Sequence, residues 1–168
     1  MFPRLTRSQF EAGKGEGNHR AMHDLVHGGR VPGILGYVDD EVAAWCSIEP
    51  RAVIGSLARA RILKPLDEVP VWSIVCLFIA RERRRQGLSV RVIRAAVDYA
   101  AAQGAPCVEA YPVEPRQTDM PPAFAWYGLA SAYLQAGFRE VARGSATRPI
   151  MRYELAASPG SAKTRKDD

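Results

Sequence analysis

A long apolar run is followed at once by a glycine-containing turn and a helix, and this order restricts the fold more than any other feature. Residues 69–80 are almost entirely apolar and rich in Val, Ile and aromatic side chains, which is typical of a strand covered on both faces. The helix that follows runs to Gln103 and ends at Gly104, and residues 107–111 form the next predicted strand. A strand–helix–strand unit of this kind requires a right-handed crossover between parallel strands.

The chain on either side predicts two more helices and four more strands, each an apolar pattern between turn residues. The helices cover residues 5–29 and 123–136, and the strands cover residues 33–38, 42–48, 138–142 and 149–155. The outer strands form hairpins around a central crossover. We therefore expect an α/β (α+β) fold with a mixed, mostly antiparallel sheet, a central parallel β-α-β crossover and helices on both faces.

Length and composition fit one domain. A chain of 168 residues with 47% hydrophobic residues buries a core without disulfides or metals, which excludes wholesale disorder. We expect residues 1–157 to form the domain and residues 158–168, rich in Ser, Gly, Lys and Asp, to be a disordered tail. No apolar run approaches the roughly 18–20 residues of a membrane span, so no membrane partner is expected.

Three cysteines lie far apart, each within an apolar run: Cys46, Cys76 and Cys107. Their odd number and wide spacing argue against a disulfide framework or a zinc site and favour reduced core thiols in a cytoplasmic protein. Three histidines, at positions 19, 23 and 27, share one helix face. Because no acidic or cysteine ligand has a suitable spacing, a solvated helix face is favoured over a metal site, and no metal is expected.

The net charge of +5 comes from one short segment. Residues 81–94 contain six arginines and one glutamate, so they alone sum to +5 and the rest of the chain sums to zero. Such a local excess favours a small polyphosphate over a nucleic-acid polymer. Nucleic-acid binding through these arginines remains an alternative, which predicts an affinity that falls steeply with salt.

The turn that precedes the central helix has the chemistry of an anion site. The first N–H groups of a helix have no acceptor within the helix, and the helix dipole adds positive potential there. Gly87 allows a ligand to approach the backbone closely, and the small Ser89 keeps the helix entrance open. We expect a phosphate or pyrophosphate to bind at this turn.

Arg84-x-x-Gly87-x-Ser89 resembles the Arg/Gln-x-x-Gly-x-Gly/Ala motif that binds acyl-CoA in the GCN5-related N-acetyltransferases, with Ser in place of the last small residue. A second similarity lies downstream, where Tyr133 stands four residues before the pair Gly137-Phe138. The order of elements also resembles the family over about residues 15–155.

The resemblance implies acetyl-CoA as co-substrate. It assigns to the strand before the turn a backbone that hydrogen-bonds the pantetheine arm: Leu77, Phe78 and Ile79. Their side chains are expected to be core. It assigns CoA binding in the turn to Arg84, Arg85, Gln86, Gly87, Leu88 and Ser89.

The resemblance also implies that a primary amine attacks the thioester directly and that CoA leaves as a thiolate. Tyr133 is then the expected proton or hydrogen-bond donor to the leaving sulfur. Proton transfer from a phenol of pKa near 10 to a thiol of pKa near 8.5 is uphill by about 2 kcal/mol. Tyr133 is therefore expected to act first as a hydrogen-bond donor; its alternative role is a partly buried aromatic of an amphipathic helix.

Such an amine is protonated about a thousandfold over neutral at pH 7, so a base or a water relay has to remove a proton. Glu109 is the predicted base, because a carboxylate in an otherwise apolar strand has to be paired, solvated or functional. Pairing with an arginine or the backbone is an equal alternative. Glu49 and Glu114 are weaker candidates.

The chain departs from the family pattern before its first helices, where only about four residues are left for an initial strand. Either that edge strand is missing, or another chain of a homodimer replaces it. The acceptor, a small-molecule or peptide amine, is not specified; Trp45, Trp72, Trp126 and Tyr111 line a cleft or belong to the core. A non-catalytic acyl-CoA-binding or regulatory module is the main alternative to an enzyme.

Overall fold

The structure is a computed structural model that describes residues 1, 3–115 and 126–155. The strands are β1 (Ile34–Val38), β2 (Glu41–Pro50), β3 (Trp72–Ile79), β4 (Cys107–Ala110), β5 (Arg139–Ser145) and β6 (Arg148–Glu154). The helices are α1 (Arg7–Ala12), α2 (Glu16–His27), α3 (Gly55–Ala58), α4 (Leu88–Ala102) and α5 (Ala130–Ala136). Short 3-10 turns cover Arg51–Val53 and Arg81–Arg83.

The six strands form one mixed sheet in the order β1-β2-β3-β4-β6-β5. All neighbours are antiparallel except β3 and β4, which are parallel and joined by α4. The predicted fold class and central crossover are confirmed. No strand precedes β1 within residues 1 and 3–33, so β1 is an edge of the described sheet.

Helices cover both faces of the sheet, as predicted. On one face, α4 and α5 pack on alternate residues of the strands, including Ile48, Ile74 and Val108. On the opposite face, α3 and the chain after it form a smaller apolar cluster with Val75 and Tyr111. The N-terminal segment lies on this second face as well, since Ser56 N–H donates to the carbonyl of Pro3.

Some local expectations need correction. The single helix predicted over residues 5–29 is two helices, α1 and α2. Gly15 is the N-cap of α2, so no side chain caps this helix. The β1–β2 turn is confined to Asp39 and Asp40, both with φ near +60°. Two positive φ angles match the twist of a hairpin, which explains why two short acidic residues are accommodated there.

Part of the prediction lies outside the described residues. This applies to the tail over 158–168, to the domain boundary at 157, to most of the proline-rich loop, and to residues 123–125 of the last predicted helix. Residues 126–129 of that helix are described and are not helical, because α5 begins at Ala130.

The sheet opens between its two parallel strands, and this opening positions the candidate site. β3 pairs with β4 only from Trp72 to Ile74, whereas β3 continues to Ile79. In the register with β2, Val75 is an extra residue, because Ile74 pairs with Ile48 and Cys76 pairs with Ser47. Since a bulge bends its strand, the second half of β3 turns away from β4.

Candidate functional site

The turn between β3 and α4 lies at the surface in a defined conformation. Arg84 is extended, Arg85 and Gly87 have φ of +59° and +73°, and α4 begins at the next residue. Two side chains tie the turn to itself: the Arg84 Nε–H donates to the carbonyl of Ile79 at 3.0 Å, and the Gln86 amide donates to the carbonyl of Glu82 at 3.0 Å. The backbone is thereby held before any ligand binds.

The N–H groups of this turn are free to bind an anion. Within the described residues, the backbone N–H groups of residues 85–89 donate to no backbone or side-chain acceptor. They stand at the N-terminus of a 15-residue helix, where the dipole adds positive potential. A Cβ at Gly87 would meet nothing within 4 Å, so the space in front of the turn is open.

The arginines around the turn add charge. Arg83 pairs with Asp39 at 3.1 Å, and Arg94 donates to the carbonyl of Gln135 at 2.7 Å. Within the described part of the chain, Arg81, Arg85 and Arg91 form no ion pair and are exposed. Of the residues predicted to bind CoA in the turn, Arg84, Arg85, Gln86 and Gly87 are exposed, whereas the Leu88 side chain is buried in the main core and Ser89 is half-buried. The turn is basic and its N–H groups are free within the described residues.

A short segment of the chain, residues 126–130, crosses the opening between β3 and β4; we call it the bridging segment. On the β3 side, the Leu77 N–H donates to the carbonyl of Trp126 at 2.7 Å. On the β4 side, Val113 N–H donates to the carbonyl of Gly128 at 2.9 Å, and Ala130 N–H donates to the carbonyl of Val113 at 3.0 Å. The bridging segment thus satisfies polar backbone groups that the opening of the sheet would leave unpaired.

The bridging segment contacts both faces of the sheet. The ring of Tyr127 packs against the smaller apolar cluster, with the Arg148 guanidinium carbon 5.0 Å from the ring centroid. Gly128 faces the other side: a Cβ there would lie 2.9 Å from Tyr133 Cε2 and 3.1 Å from Leu77 Cδ2. With φ of +82°, this position favours glycine on conformational grounds as well.

Tyr133 lies on α5 beside this opening and is fully buried. Its O–H donates to the carbonyl of Tyr127 at 2.9 Å, and its ring meets Phe138 edge to face with centroids 5.2 Å apart. Burial raises the pKa of Tyr133 well above its usual value of 10. The phenol is therefore held neutral, as a hydrogen-bond donor next to Leu77.

The three strand residues assigned to pantetheine binding have different surroundings. Leu77 and Ile79 pack toward α4, as expected of core side chains. The expectation of a core side chain is wrong for Phe78, whose side chain is 53% exposed on the opposite face, while its backbone role stays a prediction. The physical reason is the alternation of a strand: when neighbours on both sides face the main core, the residue between them points away from it.

Glu109 lies in the part of β4 that pairs with β3 and is 1% exposed. Its carboxylate accepts from Arg152 Nη2 at 2.6 Å and from the Tyr111 hydroxyl at 2.9 Å. On the other side of the same guanidinium, Asp67 accepts from Arg152 Nη1 at 2.7 Å. This geometry favours the arginine pairing that the sequence left open, while the role of base stays a prediction.

The weaker base candidates are also paired. Glu49 is buried and bonded to Arg4 and Arg30, and Glu114 bonds Arg143 at 2.6 Å. Sequence reasoning missed Arg4 because its partners are about 45 residues away in the chain. It missed the bridging segment because this segment pairs through backbone carbonyls, which every residue has, so no residue type signals it.

A cavity of about 250 Å³ opens on the face away from α4. Trp45 and Trp126 line it, so two of the predicted cleft residues do border a cavity, next to Val75 and Cys76 of β3. Trp72 instead packs against the main core, and Tyr111 is fully buried in the smaller cluster. The cavity borders the bulge of β3 and the bridging segment.

The cysteines and histidines that the structure describes form no second cluster of titratable groups. Cys46, Cys76 and Cys107 are free thiols, and burial raises the pKa of Cys107 to about 11. The rings of His23 and His27 stack 3.8 Å apart on the exposed face of α2. In the ranges that the structure describes, no group of His, Cys, Asp and Glu is arranged to hold a metal ion, and no helix has the length and apolar character to cross a bilayer.

A mixed sheet that opens beside a basic turn with free N–H groups, with a buried tyrosine at the opening, is the arrangement expected of the acyl-CoA-dependent acetyltransferases. Comparison with protein families agrees, because the model of the acetyltransferase (GNAT) family matches residues 2–136. The chain belongs to this family, whose reaction is acyl transfer from acyl-CoA.

Solved structures show the same fold at low sequence identity. A GNAT-family acetyltransferase from Listeria monocytogenes is 13% identical with a TM-score of 0.56, over 89% of this chain and 77% of that one. The ribosomal-protein-alanine N-acetyltransferase from Brucella melitensis is 13% identical with a TM-score of 0.53, over 83% and 78%. AAC(6')-Ib in complex with ribostamycin and coenzyme A is 15% identical with a TM-score of 0.52, over 80% and 68%. No curated protein sequence matches the chain.

Proposed function

We propose that the protein is an N-acetyltransferase that moves the acetyl group of acetyl-CoA to a primary amine by direct attack in a ternary complex. One observation carries the proposal. The exposed turn before α4 presents free N–H groups over residues 85–89 beside arginines that form no ion pair within the described residues, which fits a pyrophosphate. Acetyl-CoA supplies the thioester, and the CoA-binding residues are Leu77, Phe78, Ile79, Arg84, Arg85, Gln86, Gly87, Leu88 and Ser89.

Tyr133 is the proposed hydrogen-bond donor to the departing sulfur. Its hydroxyl lies at the opening beside Leu77, and its raised pKa keeps the proton on the phenol at any ordinary pH. Because this O–H donates to the carbonyl of Tyr127, it has to leave that carbonyl before it can donate to the sulfur. A neutral donor then stabilises the developing negative charge without giving up its proton. Glu109 is the proposed base that removes a proton from the amine, and its pairing with Arg152 and Tyr111 is the structural alternative.

The acceptor is proposed to be the primary amine of a small molecule or a peptide. Among the structural neighbours, one is named for a ribosomal-protein alanine and another is bound to ribostamycin, so amines of both kinds occur on this fold. We also propose that the protein acts in the cytoplasm and needs no metal. A homodimer would complete the sheet edge beside β1.

Gly87→Val tests the binding turn. The φ of +73° disfavours a β-branched residue, and the turn has to rebuild around it. We expect the Kd for acetyl-CoA, measured by calorimetry, to rise at least tenfold. Gly104→Val is the matched control, because Gly104 has a φ of +78° with nothing within 4 Å, but follows the other end of α4. Both variants should lose similar stability. Unchanged affinity in Gly87→Val would remove the turn from the proposed site.

Binding of the pantetheine arm to the Leu77 N–H requires that the Trp126 carbonyl leave it, since one N–H serves one strong acceptor. Saturating acetyl-CoA should therefore change the tryptophan fluorescence. The change should vanish in Trp126→Phe and persist in Trp72→Phe, whose ring packs on Tyr99 away from the opening.

The bridging segment also supports a second candidate, a non-catalytic acyl-CoA-binding module. In that case the segment stays in place: acetyl-CoA raises the melting temperature through the turn alone, Trp126 reports no change, and no amine releases free CoA. Free CoA released with any amine, together with the Trp126 signal, decides for the enzyme. No rise in melting temperature with millimolar acetyl-CoA contradicts both candidates.

A further inference from the structure

The cavity beside β3 has an apolar wall. Its apolar lining includes Phe10, Met22, Trp45, Val75, Trp126 and Tyr127. It lies against the β3 bulge, where the sheet opens toward Tyr133 on the opposite face. Tyr127 lines the cavity, and its carbonyl accepts the Tyr133 O–H, so a molecule in the cavity would lie close to the proposed donor with its body against aromatic side chains.

The apolar surface continues beyond the cavity along the sheet. Trp45 pairs with Leu35 of β1 on one side and with Phe78 of β3 on the other, so the three side chains form one row across three strands. Leu35 is 49% exposed and Phe78 is 53% exposed. With strands about 4.8 Å apart, the row extends over about 10 Å, the length of an extended alkyl chain of about eight carbons.

The charges around the cavity do not suit a polycation. Within the described residues, Arg4 is the charged side chain in the cavity wall. The nearby carboxylate of Glu49 is buried and already holds both Arg4 and Arg30, the latter at 2.5 Å. Among the described lining residues, a substrate with several ammonium groups would meet a cation and no free carboxylate, and burying an unpaired charge is costly.

We propose that the acceptor is a primary monoamine carried on an extended apolar body, which lies in this cavity and along the row Leu35–Trp45–Phe78. The inference rests on the proposed N-acetyltransferase function. The apolar body supplies the binding energy and holds the amine at the opening between β3 and β4.

A series of unbranched primary amines from butylamine to octylamine tests the proposal, because the nucleophile stays the same while the body grows. With saturating acetyl-CoA, KM for the amine should fall about fourfold for each added CH2 until the row is covered. Spermidine serves as the polycationic comparator, and its kcat/KM should be at least tenfold below that of octylamine.

Leu35→Gln shortens the apolar row at its exposed end. It should leave KM for butylamine unchanged and raise KM for octylamine severalfold. Ile62→Gln is the matched control, since Ile62 is 52% exposed and lies outside both the cavity and the row; it should change neither value. Trp45→Ala removes part of the cavity wall, so KM should no longer depend on the alkyl length of the amine. A rise in the melting temperature of this variant with acetyl-CoA shows that it is folded.

The outcomes separate this inference from the function on which it rests. If free CoA is released with spermidine or a peptide while KM does not depend on alkyl length, the enzyme stands and the inference falls. If Leu35→Gln dissociates a stable dimer without changing KM for octylamine, the row belongs to a second copy of the chain and the inference falls. If acetyl-CoA neither binds nor reacts, the proposed function itself falls.

Discussion

Tyr133→Phe should lower kcat by about a hundredfold or more, the usual cost of removing one donor to developing charge. The Kd for acetyl-CoA should change little, because the binding turn before α4 is untouched. Only the hydroxyl is removed, and the ring keeps its packing on Phe138. Stopped assays of free CoA under saturating substrates measure the first quantity, and calorimetry measures the second.

Tyr111→Phe controls for the loss of a buried hydroxyl. Tyr111 is as buried as Tyr133, and its O–H donates to Glu109 at 2.9 Å in the smaller cluster, away from the opening. Tyr133→Phe should cost about 1–2 kcal/mol of stability, the contribution of one buried hydrogen bond. Tyr111→Phe should cost more, because its hydroxyl also accepts from Arg51 Nη1 at 2.5 Å and contacts the Ser73 hydroxyl at 3.0 Å. Only Tyr133→Phe should lose turnover. Equal kcat in the two variants would make Tyr133 a core residue.

The pH dependence provides an independent check on the same hydroxyl. Burial raises the pKa of Tyr133 in the folded state above its unfolded value of 10. The neutral phenol is therefore favoured by folding, and this stabilisation is complete below pH 10 and declines above it. In wild type, kcat should rise with deprotonation of the amine and show no falling limb up to about pH 10.

The turn, the central helix and the buried strand before them could be predicted because their signals are local. An apolar run, a glycine with positive φ and a periodic helix depend on neighbours within a few residues, so Gly87 and α4 lie where the pattern put them. The placement of helices on both faces of the sheet could be predicted from the same local patterns.

The opening of the sheet could not be predicted, since it depends on pairing between distant strands. The extra residue at Val75 shows only in the register of β3 against β2, and the carbonyls of Trp126 and Tyr127 act through the backbone. Which residue pairs with a buried carboxylate also depends on the tertiary structure. A carboxylate in an apolar strand gives the same pattern whether it faces substrate or an arginine, which is why Glu109 was open to both interpretations.

Glu109→Gln should destabilise the fold by about 3–5 kcal/mol, the range for removing one partner of a buried ion pair. The amide keeps the shape of the side chain, but it leaves the guanidinium of Arg152, which is 8% exposed, without its buried counter-charge. Asp67, the other partner of Arg152, has a side chain 41% exposed to solvent and compensates only in part. Urea unfolding at pH 7 measures the loss.

Two further variants separate a structural Glu109 from a catalytic one. Asp67→Asn removes the solvent-exposed carboxylate from the same guanidinium and should cost much less stability. Arg152→Gln combined with Glu109→Gln removes both charges of this pair, so it should recover part of the loss through the coupling of the pair. The recovery is not complete, because Arg51 Nη1, 3.8 Å from Glu109 in wild type, still loses that carboxylate. A base would behave in the opposite way: Glu109→Gln would keep its stability while kcat dropped by about a hundredfold, and the double variant would restore nothing. Glu109 accepts from both Arg152 and Tyr111 in the paired part of β4. We therefore expect Glu109→Gln to lower the free energy of unfolding rather than kcat.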